Sequence, residues 1–266
     1  MTMPNRNVTL LSLFERIGGL YVGRFMNPTW DGAAPNRDPS ARQALQLFAG
    51  SYAYEYLGAP ANFGPAAVAA IRSSRTLDPS ATWSAFCSQV AGGTNPQHNL
   101  LYHETSSCIC VLCRLRDRGH LTNLVTRARD RLQSDQVAFG HQELKSIRGI
   151  GPKLASFFLR DVAIRYDVSP VSDRYLLQPV DLWIRRFVRR LACDEELGDY
   201  SIARWVVDHS SRPEWLNAGM WYFGAQIASQ QFVYDAALAS PHRACELAEQ
   251  HVARLAGAVR FWNAGR

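Results

Sequence analysis

The sequence predicts a mostly α-helical protein, and three observations favour that class. Apolar residues recur at helical spacing in most segments from residue 39 onward. Gly or Pro bounds nearly every one of these segments, as expected at helix ends. The chain has 266 residues, of which 47% are hydrophobic, and these suffice to bury the core of one large domain or of two subdomains that share a cleft.

The N-terminal part differs from the rest. β-branched and aromatic residues there are mixed with Gly18, Gly19 and Pro28, which predicts an irregular or partly stranded extension over residues 1–38. A helical domain is expected over residues 39–266. Its predicted helices are Ala41–Tyr56, Gly64–Ser73, Pro79–Val90, His98–Arg118, Leu121–Arg131, Gly140–Ile147, Lys153–Tyr166, Leu182–Leu191, Ser201–His209, Glu214–Ala228 and Pro241–Val259.

The composition restricts the kind of binding partner and the cellular compartment that we expect. The formal net charge of +6 and the pI near 9.1 favour a polyanionic partner. No run of about 18 apolar residues is present, and the N-terminus lacks the apolar core of a signal peptide. We therefore expect an intracellular protein, in the cytoplasm, nucleoid or nucleus, without a membrane partner. Its six cysteines are then expected to be reduced thiols.

Residues 142–159 combine a glycine-rich turn with a lysine. Gly149 and Gly151 allow positive φ and close approach of a ligand, and Pro152 suits the first turn of a helix. Bare N–H groups and the helix dipole there favour a phosphate, which predicts a helix–hairpin–helix that binds duplex DNA. The predicted contacts are Arg148, Gly149, Ile150 and Gly151. Lys153 itself is either a phosphate contact or a reactive amine.

A second motif places an acid at the start of an amphipathic helix. Asp181 follows Pro179-Val180, and the apolar face of the helix after it leaves Arg185 and Arg186 to solvent or to phosphates. By itself, this pattern predicts that Asp181 is the N-cap of the helix.

Together, the Gly-Ile-Gly-Pro-Lys hairpin and the Pro-Val-Asp helix start resemble the HhH-GPD superfamily of DNA glycosylases, which includes endonuclease III and the 8-oxoguanine glycosylases. The resemblance covers about residues 142–191. It implies an all-α fold with a substrate cleft between two helical subdomains. Lys153 matches the nucleophilic lysine of the family, and Asp181 matches its catalytic aspartate. The stretch between them is longer than is usual in the family and contains a rival acid, Asp173.

The resemblance implies a bifunctional DNA glycosylase and AP lyase of base excision repair. Its partner would be double-stranded DNA with a damaged base, bound by a monomer. The base would be flipped out of the stack. Lys153, activated by partial desolvation, would attack C1′, and the Schiff base would allow β-elimination. Asp181 would stabilise positive charge on the sugar. The alternatives are a non-catalytic hairpin protein that binds DNA structure and a glycosylase for another modified base.

Cysteine spacing bears on the substrate. The pyrimidine branch of the family commonly has a C-terminal iron–sulfur cluster, but only Cys245 follows Cys193 here. We expect no such cluster, which favours an oxidised, 8-oxoguanine-like purine. Gln226, Trp221 and Phe223 are candidates to contact the flipped base, or they form an ordinary core face.

A cofactor is not expected apart from a monovalent cation at the hairpin. Cys108, Cys110 and Cys113 lie close together in sequence, with Cys87, His98 and His103 before them. Three thiolates of this spacing converge only in a loop, because Cys108 does not share a helix face with the other two. Free thiols are therefore expected, and no metal.

Overall fold

The computed structural model describes residues 5–33, 38–53, 63–90, 116–117, 120–147 and 150–264. Over these residues the chain is mostly α-helical, as the sequence predicts. The described residues also contain one antiparallel pair of two-residue strands, β1 (Arg116–Asp117) and β2 (His120–Leu121). None of the helices described is long and apolar enough to cross a bilayer.

The helices are numbered here in chain order. They are α1 (Asn5–Tyr21), α2 (Asn27–Ala33), α3 (Ala41–Ser51), α4 (Phe63–Ser73), α5 (Pro79–Val90), α6 (Leu124–Gln133), α7 (Val137–Lys145), α8 (Pro152–Tyr166), α9 (Leu182–Ala192), α10 (Asp199–Asp208), α11 (Pro213–Tyr222), α12 (Gln231–Ala239) and α13 (Pro241–Ala264). Two π-helical segments, Val22–Met26 and Phe223–Ala228, and one 3₁₀ turn, Arg174–Leu177, complete them.

The prediction of an irregular or stranded N-terminal extension is wrong, because residues 5–33 are helical. The buried residues Leu10, Phe14, Ile17 and Tyr21 lie at helical spacing along α1. Gly18, one of the glycines that suggested irregular structure, is instead required by packing against the backbone of Trp215. The predicted helix at 98–118 lies almost wholly outside the described residues, and its described part, 116–117, is a strand. Helix α12 was not predicted.

The chain divides into two compact units. The terminal unit comprises Met1–Phe25 together with Val180–Arg266, and the central unit comprises Met26–Pro179. The terminal unit therefore joins the first helix to the last five, a grouping that the predicted boundary near residue 38 does not indicate. Lys153 belongs to the central unit and Asp181 to the terminal unit.

In the terminal unit, α1 and α11 meet backbone to backbone. A Cβ on Gly219 would lie 1.8 Å from the carbonyl oxygen of Phe14, and one on Gly18 would lie 2.4 Å from that of Trp215. Only glycine permits such an approach. It brings the Phe14 ring edge-on to Phe187 at 4.6 Å and to Phe223 at 5.0 Å, between ring centroids. These aromatic contacts form the centre of the core of the unit.

In the central unit, a buried polar network ties α8 to its neighbours. Arg160 and Asp161 are both about 1% exposed, and the guanidinium donates to the carboxylate at 2.9 Å. The hydroxyl of Tyr52 donates to the other carboxylate oxygen at 2.8 Å, and the indole of Trp30 donates to that hydroxyl at 2.8 Å. Because the charges are paired and bonded, their burial is tolerated, and the network specifies where α8 lies.

Gly219→Ala is expected to destabilise the protein by about 3 kcal/mol or more, because the added methyl overlaps the backbone of Phe14 and the two helices must separate. Urea unfolding followed by circular dichroism measures the change. The matched control is Gly19→Ala on α1, where a Cβ meets nothing within 4 Å and the helix propensity rises. Equal stability of Gly219→Ala and the wild type would show that α1 does not pack as described.

Candidate functional site

Backbone hydrogen bonds hold the described residues of the connection between α7 and α8. Helix α7 ends at Lys145, and the N–H of Ser146 donates to the carbonyl of Gln142 at 3.0 Å. The N–H of Ile150 donates to the carbonyl of Ile147 at 3.0 Å. Two of the predicted DNA contacts, Arg148 and Gly149, lie outside the described residues. The described part is therefore a helix, a short connection and a second helix.

Two expectations for this connection are wrong. Gly151 has φ −81°, so it does not use positive φ. Ile150 has a buried side chain, and its N–H is bonded within the turn rather than open to a ligand. Gly151 contributes space instead: a Cβ placed there meets no atom of the described residues within 4 Å. The N-terminal end of α8 therefore stays open to an approaching group.

Lys153 lies in the first turn of α8 and is exposed. Burial in the folded chain does not supply the partial desolvation expected for this amine, because the residue is exposed. The first turn contains no acidic residue, and the N-cap Gly151 supplies no capping side chain. A cation at the positive end of a 15-residue helix is locally unfavourable, and such an arrangement attracts anions.

His141 on α7 holds the beginning of α8. Its Nε2 lies 3.3 Å from the carbonyl oxygen of Pro152 and 3.3 Å from the hydroxyl oxygen of Ser156. Burial, with a smaller contribution from the nearby Lys145, lowers the pKa of His141 below its ordinary value. The neutral ring therefore joins α7 to α8 just beside Lys153. The sequence analysis missed this role, although His141 follows Val137 at helical spacing.

The stretch between α8 and α9 is held by one carboxylate. Asp135 accepts from the backbone N–H groups of Val171 and Ser172, at 2.8 and 2.9 Å, and from the hydroxyl of Ser172 at 2.5 Å. The Ser172 hydroxyl is the main cause that lowers the pKa of Asp135. The rival acid Asp173 is exposed, has φ 52°, and precedes only the short 3₁₀ turn.

Asp181 is the N-cap of α9, as the sequence predicts. Its carboxylate accepts from the N–H of Ile184 at 2.9 Å, and the residue is half-buried. The carboxylate also lies at the positive end of the helix dipole, where a negative charge is favourable. Asp181 therefore presents a negative charge with a defined direction.

The two arginines proposed for phosphate contacts are occupied by protein groups. Arg185 donates to Asp199 of α10, with the closest approach at 2.8 Å. Arg186 donates to the side-chain oxygen of Gln231 at 2.7 Å, and its guanidinium lies over the Trp183 ring. Arg185 and Arg186, which were expected to be left to solvent or to phosphates, therefore bond to protein side chains in the folded chain. The bond of Arg186 to a neutral amide is the one that a phosphate replaces more readily.

The three candidates for a base pocket have different environments. Phe223 is fully buried against Phe14, so its predicted contact with a flipped base is wrong. Trp221 is half-buried and packs on the aromatic rings of Tyr21 and Phe25. Gln226 is exposed within the π-helical segment Phe223–Ala228. Such segments are frequent at functional sites.

The cysteines offer no metal site in the part of the chain that the structure describes. Within it, no group of three or more His, Cys, Asp or Glu side chains is placed to hold an ion. Cys108, Cys110 and Cys113, with His98 and His103, lie outside the described residues. Cys87 is half-buried on α5, where burial raises the pKa of its thiol and disfavours the thiolate that binds metals.

Comparison of the chain with protein families, with curated proteins and with solved structures finds no match. What the chain does must therefore be argued from its own residues.

Lowering the pH below about 6.5 is expected to destabilise the protein through His141. The folded state depresses the pKa of this group, so the unfolded chain binds the proton more readily, and stability falls as the pH falls through the folded pKa. Urea midpoints of the wild type and His141→Gln, measured from pH 8 to pH 5, test this. The wild type should lose more stability than the variant. Identical slopes would mean that His141 is not held neutral.

Proposed function

We propose that the protein is a DNA glycosylase with AP lyase activity, which acts as an intracellular monomer on double-stranded DNA with a damaged base. The observation that carries this proposal is the exposed Lys153 in the first turn of α8, beside the open position at Gly151. An amine and an unobstructed helix N-terminus there combine a nucleophile with a place for a phosphate.

Phosphate binding is supported by three features of the same helix end. The space at Gly151 lets a phosphate oxygen reach the backbone. The dipole of a 15-residue helix favours an anion there, and the first turn lacks a carboxylate that would repel it. The buried network at Arg160 and the bond from His141 hold the helix in place, so the anion meets a preformed site. Binding of this kind positions the duplex without reading its sequence.

The reaction proposed for Lys153 needs a neutral amine. Since the side chain is exposed, the DNA itself must desolvate it when the duplex covers this surface. The amine then attacks C1′, the glycosidic bond breaks, and the base leaves with a proton. Opening of the sugar gives a Schiff base. Loss of a C2′ proton then breaks the C3′–O bond and releases the 3′ phosphate, which nicks the strand.

Asp181 is the proposed electrostatic partner in this reaction. A carboxylate held in place by the Ile184 N–H would stabilise the positive charge that develops on the sugar as the base departs. In a protein that only binds DNA, Asp181 would serve solely as the cap of α9. An oxidised, 8-oxoguanine-like purine is the proposed substrate class, with Gln226 and Trp221 as the remaining candidate contacts to the flipped base.

A non-catalytic hairpin protein that binds DNA structure is the second candidate. The observation that favours it is the same exposure of Lys153, since an exposed lysine at a helix N-terminus serves well as a phosphate contact. The two candidates share the DNA-binding surface and differ in covalent chemistry, which makes them separable by experiment.

Borohydride trapping on duplexes that carry different damaged bases is expected to give a covalent adduct with the wild type and none with Lys153→Gln. Lys145→Gln, which changes another exposed lysine near the hairpin, is the matched control and should still form the adduct. Asp181→Asn should slow trapping by about 10²-fold. It preserves the helix cap, because Asn caps as well as Asp, so lost activity would not reflect lost stability.

Two results would contradict this assignment. An adduct that persists in Lys153→Gln would place the nucleophile elsewhere. Binding to every duplex without an adduct or a nick on any lesion would favour the non-catalytic candidate.

Gly151→Ala is expected to weaken binding of duplex DNA about tenfold while leaving stability unchanged or slightly higher. A methyl fits the free protein at φ −81° but occupies the space through which a phosphate would approach. Fluorescence anisotropy at fixed salt measures the affinity. Gly198→Ala is the matched control, because Gly198 also caps a helix, with φ −76° and open space. Equal affinities of the two variants would exclude phosphate binding at Gly151.

A further inference from the structure

We propose that Tyr234 is a positioning residue for Asp181, because its hydroxyl holds the first turn of the helix that Asp181 caps. This inference rests on the proposed function for its catalytic consequence. Its structural part concerns only the direction of one carboxylate and is tested separately.

The hydrogen bonds connect Tyr234 to Asp181 through a single helical turn. Tyr234 lies on α12 and is fully buried, and its hydroxyl donates to the carbonyl oxygen of Trp183 at 3.1 Å. Trp183 directly precedes Ile184, whose N–H donates to the Asp181 carboxylate at 2.9 Å. The carbonyl that Tyr234 holds and the N–H that aims Asp181 therefore belong to adjacent residues. A shift of this turn would move the carboxylate with it.

Packing holds the same turn from two sides. A Cβ on Gly224 would lie 2.4 Å from the Trp183 indole, so the ring rests directly on the backbone of the π-helical segment. The Tyr234 ring lies 5.0 Å from the indole between centroids, with an interplanar angle of 54°. Trp183 cannot swing toward Gly224 without a clash, and Tyr234 supports it from another direction. The hydrogen bond from the Tyr234 hydroxyl then restricts the tilt of the Trp183 carbonyl.

Burial and two neighbouring carboxylates favour the protonated form of Tyr234, which can donate a hydrogen bond. Burial is the main cause that raises the pKa of Tyr234 well above its ordinary value. The carboxylates of Asp181 and Asp235 act in the same direction, and Arg186 opposes them. These effects favour the protonated phenol, which is the form that donates to the Trp183 carbonyl.

Tyr234→Phe tests the proposal, since it keeps the ring and removes only the hydroxyl. The first measurement is NMR of the free protein with labelled backbone amides and Asp carboxyl carbons, assigned with Asp181→Asn. We expect the amide proton of Ile184 and the carboxyl carbon of Asp181 to shift, because their hydrogen bond lengthens. Unchanged resonances for both groups would overturn the proposal whether or not the protein is an enzyme.

The second measurement is the single-turnover excision rate at saturating damaged duplex. Tyr234→Phe should lower this rate about three- to tenfold, the range for one neutral hydrogen bond, and leave the dissociation constant for DNA unchanged. In the Asp181→Asn background, Tyr234→Phe should cause no further loss. An equal loss in both backgrounds would show a structural role that does not act through Asp181, and would overturn the proposal.

Tyr222→Phe is the matched control. It removes another hydroxyl of the terminal unit, one that lies 3.1 Å from Nε2 of His251, and should leave both the Asp181 resonance and the excision rate unchanged. Absence of excision by the wild type on every lesion would contradict the proposed function alone. The NMR comparison of Tyr234→Phe with Tyr222→Phe would then decide the positioning role.

Discussion

The terminal unit depends on the contact between the backbones of α1 and α11 at Gly18 and Gly219. Because no side chain separates the helices there, Phe14 reaches into the core and meets Phe187 of α9 and Phe223 at the start of the π-helical segment. Those two elements carry Asp181 and the surface on which Trp183 rests. A contact between glycines far along the chain from each other thus determines where the proposed catalytic acid is held.

The central unit uses a different physical device to hold the helix that carries Lys153. A buried ion pair between Arg160 and Asp161 anchors the middle of α8. The hydroxyl of Tyr52 and the indole of Trp30 complete this network with one hydrogen bond each. Neutral His141 holds the beginning of the helix. The end of the helix is left open, with a lysine where the dipole disfavours a cation. The positive end of the helix dipole there favours an anion over a cation.

Much of the helical architecture was predictable from sequence, because amphipathic spacing and terminal Gly or Pro are local signals. Helix α9 and its N-cap Asp181 came out as predicted, since Ile184, Phe187 and Val188 mark one face and the acid stands just before it. The N-terminal helix was not predicted, because a glycine such as Gly18 indicates a loop unless its packing partner Gly219 is known. The conformation of Gly151 was also mispredicted, and only the structure decided between the core and the base-contact alternatives for Phe223. Each depends on what surrounds the residue rather than on its neighbours in sequence.

By itself, the sequence determined that the chain is mostly helical, that a lysine follows a glycine-rich turn, and that an acid caps the helix after it. Periodicity, capping and turn chemistry act within a few residues, so a single chain carries those signals. Only the tertiary structure decided that α1 belongs with the C-terminal helices, that His141 braces α8, and that Tyr234 and Gly224 hold the turn beside Asp181. These contacts join residues distant in sequence, and close approach and burial depend on the folded surroundings.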